Sequence, residues 1–308
     1  MNRPDEQWHE MPWAVESSEN FVGTIVRWTK ELTHEITGKC TLNCIHCSTQ
    51  ANPERWDYAD FDAFCRNIEE FSEFDMVRLS WWEPFHHPDI VRMVDFLHEN
   101  WRKIEILSSW TVDKKPIPRE ILEQMKGKIS GIIFSMHGYF EDHHHIVNPY
   151  FDFWHPYWDD MMDSVEECAD LWIPFSFQAV VMKQNADKLE EIVKCVAMLN
   201  KIYKNEITRG KLPKIKMHFL RYIKQWRWLE NEVESPDKAF LDNLPNYFSR
   251  MQADYSIEIS YSSNFEFKDC DCSSKKMVIC ADWSIIACSA LKWAKPDSWR
   301  RFACIPRL

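Results

Sequence analysis

A chain of 308 residues, 45% apolar and 28% charged, can bury a sizeable core in one large domain and still carry a small appendage. Its formal charge of −11 argues against a broad phosphate-binding face, so no nucleic-acid partner is expected. The apolar runs are too short to span a bilayer and the opening MNRPDEQWHEMPW has no apolar signal-peptide core, so the expected setting is cytoplasmic, without a membrane partner.

In chain order, residues 1–28 read as an irregular extension. Polar/apolar alternation in TKELTHEIT (29–37) predicts a first strand, followed by a cysteine loop. Further strands are predicted at 76–80, 103–108, 130–136, 173–182 and 214–221. Helical spacing is found at 61–71, 89–100, 118–126, 158–171 and 185–203. Strands alternating with helices predict an α/β fold with a parallel sheet, whose ligands sit at the carboxyl ends of the strands. Between these elements, EDHHHIV (141–147) reads as a solvated polar loop, FDFWHPYWDD (151–160) as core or a loop clasp, and the basic run 204–216 as solvated surface. After Gln225 the alternation stops. A helix near 237–251 leads into a Cys-rich tail with little periodicity, which gives an extension (1–28), a core (29–235) and a small C-terminal module (236–308).

The 11 cysteines are clustered. Three lie at 40–47 and five at 270–304, with Cys65, Cys168 and Cys195 between. In a reducing compartment such clustering points to metal or iron–sulfur ligation rather than to disulfides. Cys40-x3-Cys44-x2-Cys47 places three thiolates on one loop, able to grip one centre from one side. If that centre is a four-iron cubane, one iron keeps an open coordination site. Zinc, with His46 or His34 completing a Cys3His set, is the alternative.

ITGKCTLNCIHC resembles the cluster loop of the radical S-adenosylmethionine (radical SAM) superfamily, and the similarity runs from the first strand to the C-terminus. The resemblance implies a partial (β/α)6 barrel with a 4Fe–4S cluster on Cys40, Cys44 and Cys47. It further implies S-adenosylmethionine on the fourth iron and an electron donor such as flavodoxin or ferredoxin. The expected activity is reductive cleavage to a 5′-deoxyadenosyl radical, oxygen-sensitive, with hydrogen abstraction from a substrate.

The family carries Gly-Gly-Glu-Pro after the second strand, where the amine of S-adenosylmethionine meets the backbone; here the residues are Trp81, Trp82, Glu83 and Pro84. Glycine suits such a place because a Cβ would intrude. The same exchange recurs in SSWT (108–111), at Trp172 between helix and strand, in YIKQWRW (222–228), and at Trp283 in a turn. Average usage predicts about 22 glycines. The chain has 6 Gly and 16 Trp, which together match that figure. Many of these tryptophans are therefore expected to be glycines in the living protein, as when UGA codons that some bacteria read as glycine are translated as tryptophan. A truly Trp-rich chain with an occluded site is the alternative, and UGG codons at 81, 82 and 283 would decide for it.

By the same resemblance Ser135, Gln178 and Arg221 contact S-adenosylmethionine, with Arg221 suited to its carboxylate; each also admits a purely structural role. With glycine at 283, the tail resembles SPASM or shorter twitch modules. That implies one auxiliary cluster on Cys270, Cys272, Cys288 and Cys304, with Cys280 as a further candidate. A zinc knuckle or ordinary buried thiols are the alternative. The end of the chain four residues after Cys304, with no closing helix, is consistent with truncation. The expected substrate is a peptide or protein, or else a small molecule of cofactor biosynthesis. A zinc-stabilised binding protein or a degenerate barrel would be the non-catalytic outcome.

Overall fold

The computed structural model describes residues 30–47, 51, 53–54, 57–80, 83–149, 157–220, 233–261, 276–279 and 285–286. Trp81, Trp82, Arg221, Trp283, Cys270, Cys272, Cys280, Cys288 and Cys304 lie outside them.

The strands are β1 (Glu31–Glu35), β2 (Met76–Ser80), β3 (Lys103–Ser108), β4 (Thr111–Val112), β5 (Lys115–Pro116), β6 (Gly131–Ser135), β7 (Phe175–Val180), β8 (Lys216–Leu220), β9 (Glu258–Tyr261), β10 (Lys276–Ile279) and β11 (Ile285–Ile286). The helices are α1 (Phe61–Glu70), α2 (Ile90–Glu99), α3 (Arg119–Met125), α4 (Glu141–Val147), α5 (Tyr157–Asp170), α6 (Leu189–Ile202), α7 (Lys204–Thr208) and α8 (Lys238–Tyr255). One sheet runs β11-β10-β1-β2-β3-β6-β7-β8-β9, parallel throughout except for the antiparallel β10–β11 pair. The predicted α/β architecture with a parallel sheet is what forms, and every predicted strand lies in it.

Alternation explains the strands. Val77 and Leu79, Ile104 and Ile106, Ile132 and Phe134, and Phe175 and Phe177 are all buried, at positions two apart. The helices cover the sheet with 3.6-residue stripes: α2 buries Ile90, Met93, Val94 and Leu97, and α6 buries Leu189, Ile192, Val193, Val196 and Leu199. Starts are set by side-chain caps, Asp60 accepting from Ala63 N at 2.9 Å and Asp237 from Phe240 N at 2.7 Å.

Two segments differ from expectation. EDHHHIV is helix α4, not a solvated loop: His143, Ile146 and Val147 fall on one helical face, and all three are buried. The tail also supplies strands to the main sheet, β9 beside β8 and β10 beside β1. Short parallel strands of this kind carry no alternation long enough to read, and only pairing defines them.

Three helices end alike. After α2, Trp101 N donates to His98 O and Arg102 N to Leu97 O, both at 3.0 Å. After α5, Trp172 N donates to Ala169 O (3.1 Å) and Ile173 N to Cys168 O (2.8 Å). After α7, Gly210 N donates to Ile207 O (3.0 Å) and Lys211 N to Glu206 O (2.9 Å). This is the Schellman arrangement, and its pivot residue is left-handed: φ is +59° at Trp101, +58° at Trp172 and +69° at Gly210. No helix among the described residues is long and apolar enough to cross a membrane.

Candidate metal centre

The loop leaving β1 is pinned before it reaches its cysteines. Ile36 N donates to Ser80 O (3.3 Å), Ala59 N to Ile36 O (2.8 Å), and Gly38 N to Asp57 O (2.9 Å). A Cβ on Gly38 would stand 2.3 Å from the Asp57 carboxylate, so a larger residue there would have to push that side chain aside. The loop is then stapled to the end of α4, Asn43 N to Val147 O and Ile45 N to Ile146 O, each at 2.9 Å. Cys40, Cys44 and Cys47 thus sit at the carboxyl end of β1 on a loop fixed at both flanks.

The sulfurs have backbone donors. Leu42 N donates to Cys40 Sγ and Ala51 N to Cys47 Sγ, each at 3.4 Å, and Ser109 Oγ lies 4.0 Å from Cys40 Sγ. Cys40 and Cys47 are buried and Cys44 half-buried. Burial pushes the Cys40 thiol up to about 12, reinforced by the negative potentials of Glu83 and Cys47 and opposed by the Leu42 N–H. Such a thiol stays protonated unless a cation takes its proton's place, which is the condition a metal ligand meets. Three thiols on one loop are the donor set of a four-iron cluster, which takes each thiolate on a separate iron. The donor set therefore fits the iron–sulfur cluster that the loop's resemblance implies.

Glu83 faces this loop from the end of β2. It caps the 3-10 turn Pro84–His86 through Phe85 N (3.1 Å), and it is fully buried. It also accepts from Ser108 Oγ (2.9 and 3.1 Å), Ser109 N (2.7 Å) and Ser109 Oγ (2.7 Å), tying the ends of β2 and β3 together. Burial pushes its carboxyl up to about 7 against the pull of those donors. Ser135 and Gln178 are register partners at the ends of β6 and β7, both half-buried, with Gln178 Nε2 donating to Ser135 Oγ at 3.4 Å. The other expected contacts, Trp81, Trp82 and Arg221, and the tail cysteines lie outside the described residues.

A row of buried imidazoles behind the loop is a further feature. His46, next to Cys47, packs edge-on against His137 at 4.0 Å, and His137 stacks on His143 at 6.2 Å. Val180 N donates to His137 Nδ1 (3.2 Å) and His137 N to His143 Nδ1 (3.0 Å), so both rings carry their proton on Nε2. Asn185 locks the same corner, donating to His137 O and Val180 O at 2.9 Å. The spacing of His143, Ile146 and Val147 was the signal that could have placed His143 in the core.

Desolvation lowers the His143 pKa to about 3. An unfolded histidine titrates near 6.5, so below that pH the unfolded chain takes up a proton that the folded one refuses. Stability is expected to fall as pH drops from 6.5 toward 4. His143→Asn, which keeps an acceptor for His137 N, should flatten that fall by about 1.4 kcal/mol per pH unit in urea titrations. An unchanged slope would remove His143 as its source.

The chain matches the Radical SAM superfamily over residues 34–196. It is 25% identical over 99 residues to the Antilisterial bacteriocin subtilosin biosynthesis protein AlbA of Bacillus subtilis (strain 168), an alignment covering 32% of this chain and 22% of AlbA. Its fold is similar to that of Streptococcus suis SuiB bound to S-adenosylmethionine, with TM-score 0.64 and 15% identity over 87% of this chain and 62% of SuiB. It is also similar to anSMEcpe with bound AdoMet, with TM-score 0.57 and 14% identity over 88% of this chain and 74% of that one. The chain thus spans about a fifth of AlbA and less than two thirds of SuiB. The match takes in the end of β1, the three-thiol loop and the strand ends around Glu83, the same elements that geometry brings together. This chain belongs to the radical SAM superfamily.

Proposed function

We propose that the protein is a radical SAM enzyme acting on a peptide, a maturase rather than an enzyme of small molecules. The observation that carries this reading is the loop of Cys40, Cys44 and Cys47, backbone-pinned at the strand ends and facing Glu83 and Ser109. When bound, cluster and S-adenosylmethionine together supply the 5′-deoxyadenosyl radical that abstracts hydrogen. The chain's own part is positional. The thiolates of Cys40, Cys44 and Cys47 hold the cluster, while the Leu42 and Ala51 N–H groups damp the charge on two sulfurs. Glu83 braces the ends of β2 and β3, and the amine of the cofactor is proposed to sit against positions 81 and 82. Ser135, Gln178 and Arg221 are proposed to line the remaining strand ends.

The peptide assignment draws on the likeness to AlbA, a bacteriocin biosynthesis protein, and to SuiB, solved bound to its precursor peptide SuiA. One auxiliary cluster on Cys270, Cys272, Cys288 and Cys304 is part of the proposal, to bind the peptide or take up an electron after abstraction.

The test is anaerobic reconstitution with iron and sulfide, reduction, and incubation with S-adenosylmethionine and a short peptide encoded beside the gene. Release of 5′-deoxyadenosine with hydrogen loss from the peptide, seen as a mass decrease, is expected. Release of 5′-deoxyadenosine with no peptide change would redirect the reading to a small substrate. Zinc without iron or sulfide in the purified protein would end it.

A further inference from the structure

We infer that positions 101, 110 and 172 are glycine sites, and that the working protein carries glycine where tryptophan stands in the chain. Four tryptophans lie among the described residues, Trp101, Trp110, Trp158 and Trp172. Three have left-handed backbones, with φ of +59°, +67° and +58°; only Trp158, inside α5, does not. A bulky L-residue avoids that region because its Cβ crowds the following carbonyl, whereas glycine enters it freely.

Two of the three are helix pivots with the same pair of hydrogen bonds that Gly210 makes after α7. The fold therefore uses one device three times, once with glycine and twice with tryptophan. Nothing around Trp101 compensates: its side chain is 94% exposed, so an indole is held in water on a backbone that disfavours it. Trp172 is half-covered by Lys211, 3.8 Å from its ring, and by Lys126 at 4.7 Å. Surface lysines can supply such a contact to any exposed aromatic.

Trp110 is the opposite case, fully buried with its ring 4.6 Å from that of His143. Among the described residues its Nε1–H has no hydrogen-bond partner, and neither has His143 Nε2. Both are donors, since His143 Nδ1 already accepts from the backbone, so neither can satisfy the other. An indole here blocks two donors in a dry interior. With glycine at 110, one donor disappears and the other gains room for a water. The residue follows Ser109, which touches both Glu83 and Cys40, so the exchange lies against the metal-centre loop. By extension, Trp81 and Trp82 next to Glu83 would be glycines too, and a protein made with tryptophan throughout would be an occluded form of the enzyme.

Tandem mass spectrometry of the protein purified from the cells that make it reads positions 101, 110 and 172 directly. Glycine there, over UGA codons, is expected; tryptophan at these positions overturns the inference. The conformational basis has its own readout in the chain as printed. Trp101→Gly should raise the thermal midpoint by about 2 °C and Trp172→Gly by less, because of its lysines. Trp158→Gly, in the first turn of α5, should lower it, because it strips the ring contacts to Tyr139 (5.0 Å), Phe140 (6.3 Å) and His143 (6.2 Å). A midpoint that falls on Trp101→Gly as far as on Trp158→Gly would sink the glycine assignment even if the enzyme proved active.

Discussion

Cys40→Ala is expected to abolish S-adenosylmethionine cleavage, bringing 5′-deoxyadenosine release down to that of a protein-free control. Cys40 is tied to both sides of the site, through Leu42 N within its loop and through Ser109 toward Glu83. Burial favours its protonated form, so a bound metal would have to displace that proton. Alanine removes the sulfur and leaves a cubane with two protein ligands on this loop. The cluster signal in electron paramagnetic resonance and the bound iron at this site should fall with the activity. Loss of a buried sulfur creates only a small void, costing about 1 kcal/mol, so the metal-free fold should survive. Cys65→Ala is the matched control: Cys65 sits on α1, half-buried and away from the loop, and its variant should keep full activity. Equal loss from both variants would show that the effect is general damage, and retained cleavage by Cys40→Ala would remove the loop from the chemistry.

The second large effect is at Glu83. Glu83→Ala should destabilise the protein by about 3–5 kcal/mol, because it removes the shared acceptor of Ser108 Oγ, Ser109 N, Ser109 Oγ and Phe85 N. The two hydroxyls can turn to other acceptors. The two backbone N–H groups cannot, and both are buried. Glu83→Gln keeps one acceptor oxygen and resembles the protonated carboxyl, a state close at hand for a group pushed up to about 7. It should cost roughly 1–2 kcal/mol. Urea denaturation separates the cases: equal midpoints for wild type and Glu83→Ala would mean that the carboxylate does not brace the strand ends. Activity should fall with both variants, since Glu83 ties together the ends of β2 and β3 beside the cysteine loop.

Much of the fold was legible because periodicity is a local property. Strands β2 and β3 were bounded to the residue, since Val77/Leu79 and Ile104/Ile106 alternate between clean turn signals. Helices α1, α2 and α5 announced themselves by apolar spacing. Helix α4 did not, because three histidines hid its inward face and their polarity reads as solvent exposure until packing shows otherwise. Strands β9 and β10 were equally silent, each four residues long and defined by a distant partner.

The site divides the same way. Three cysteines at fixed spacing on one loop were chemistry written in the chain, since ligand type and spacing are local. So were the surplus of tryptophan over glycine and the Glu-Pro pair after β2. What residues do across space was not written there. Glu83 gathering donors from β3, the stapling of the cysteine loop to α4, and the proton placement of His137 set by Val180 N all join segments distant in the chain. The left-handed pivots at Trp101 and Trp172 likewise needed coordinates, because φ is fixed by where a helix must stop and the next strand begin. Sequence by itself determined the alternation of the main strands and helices and the three-cysteine loop, through spacing and side-chain chemistry. Only tertiary structure decided burial, hydrogen-bond partners and backbone handedness, because those depend on which distant segments share one interior.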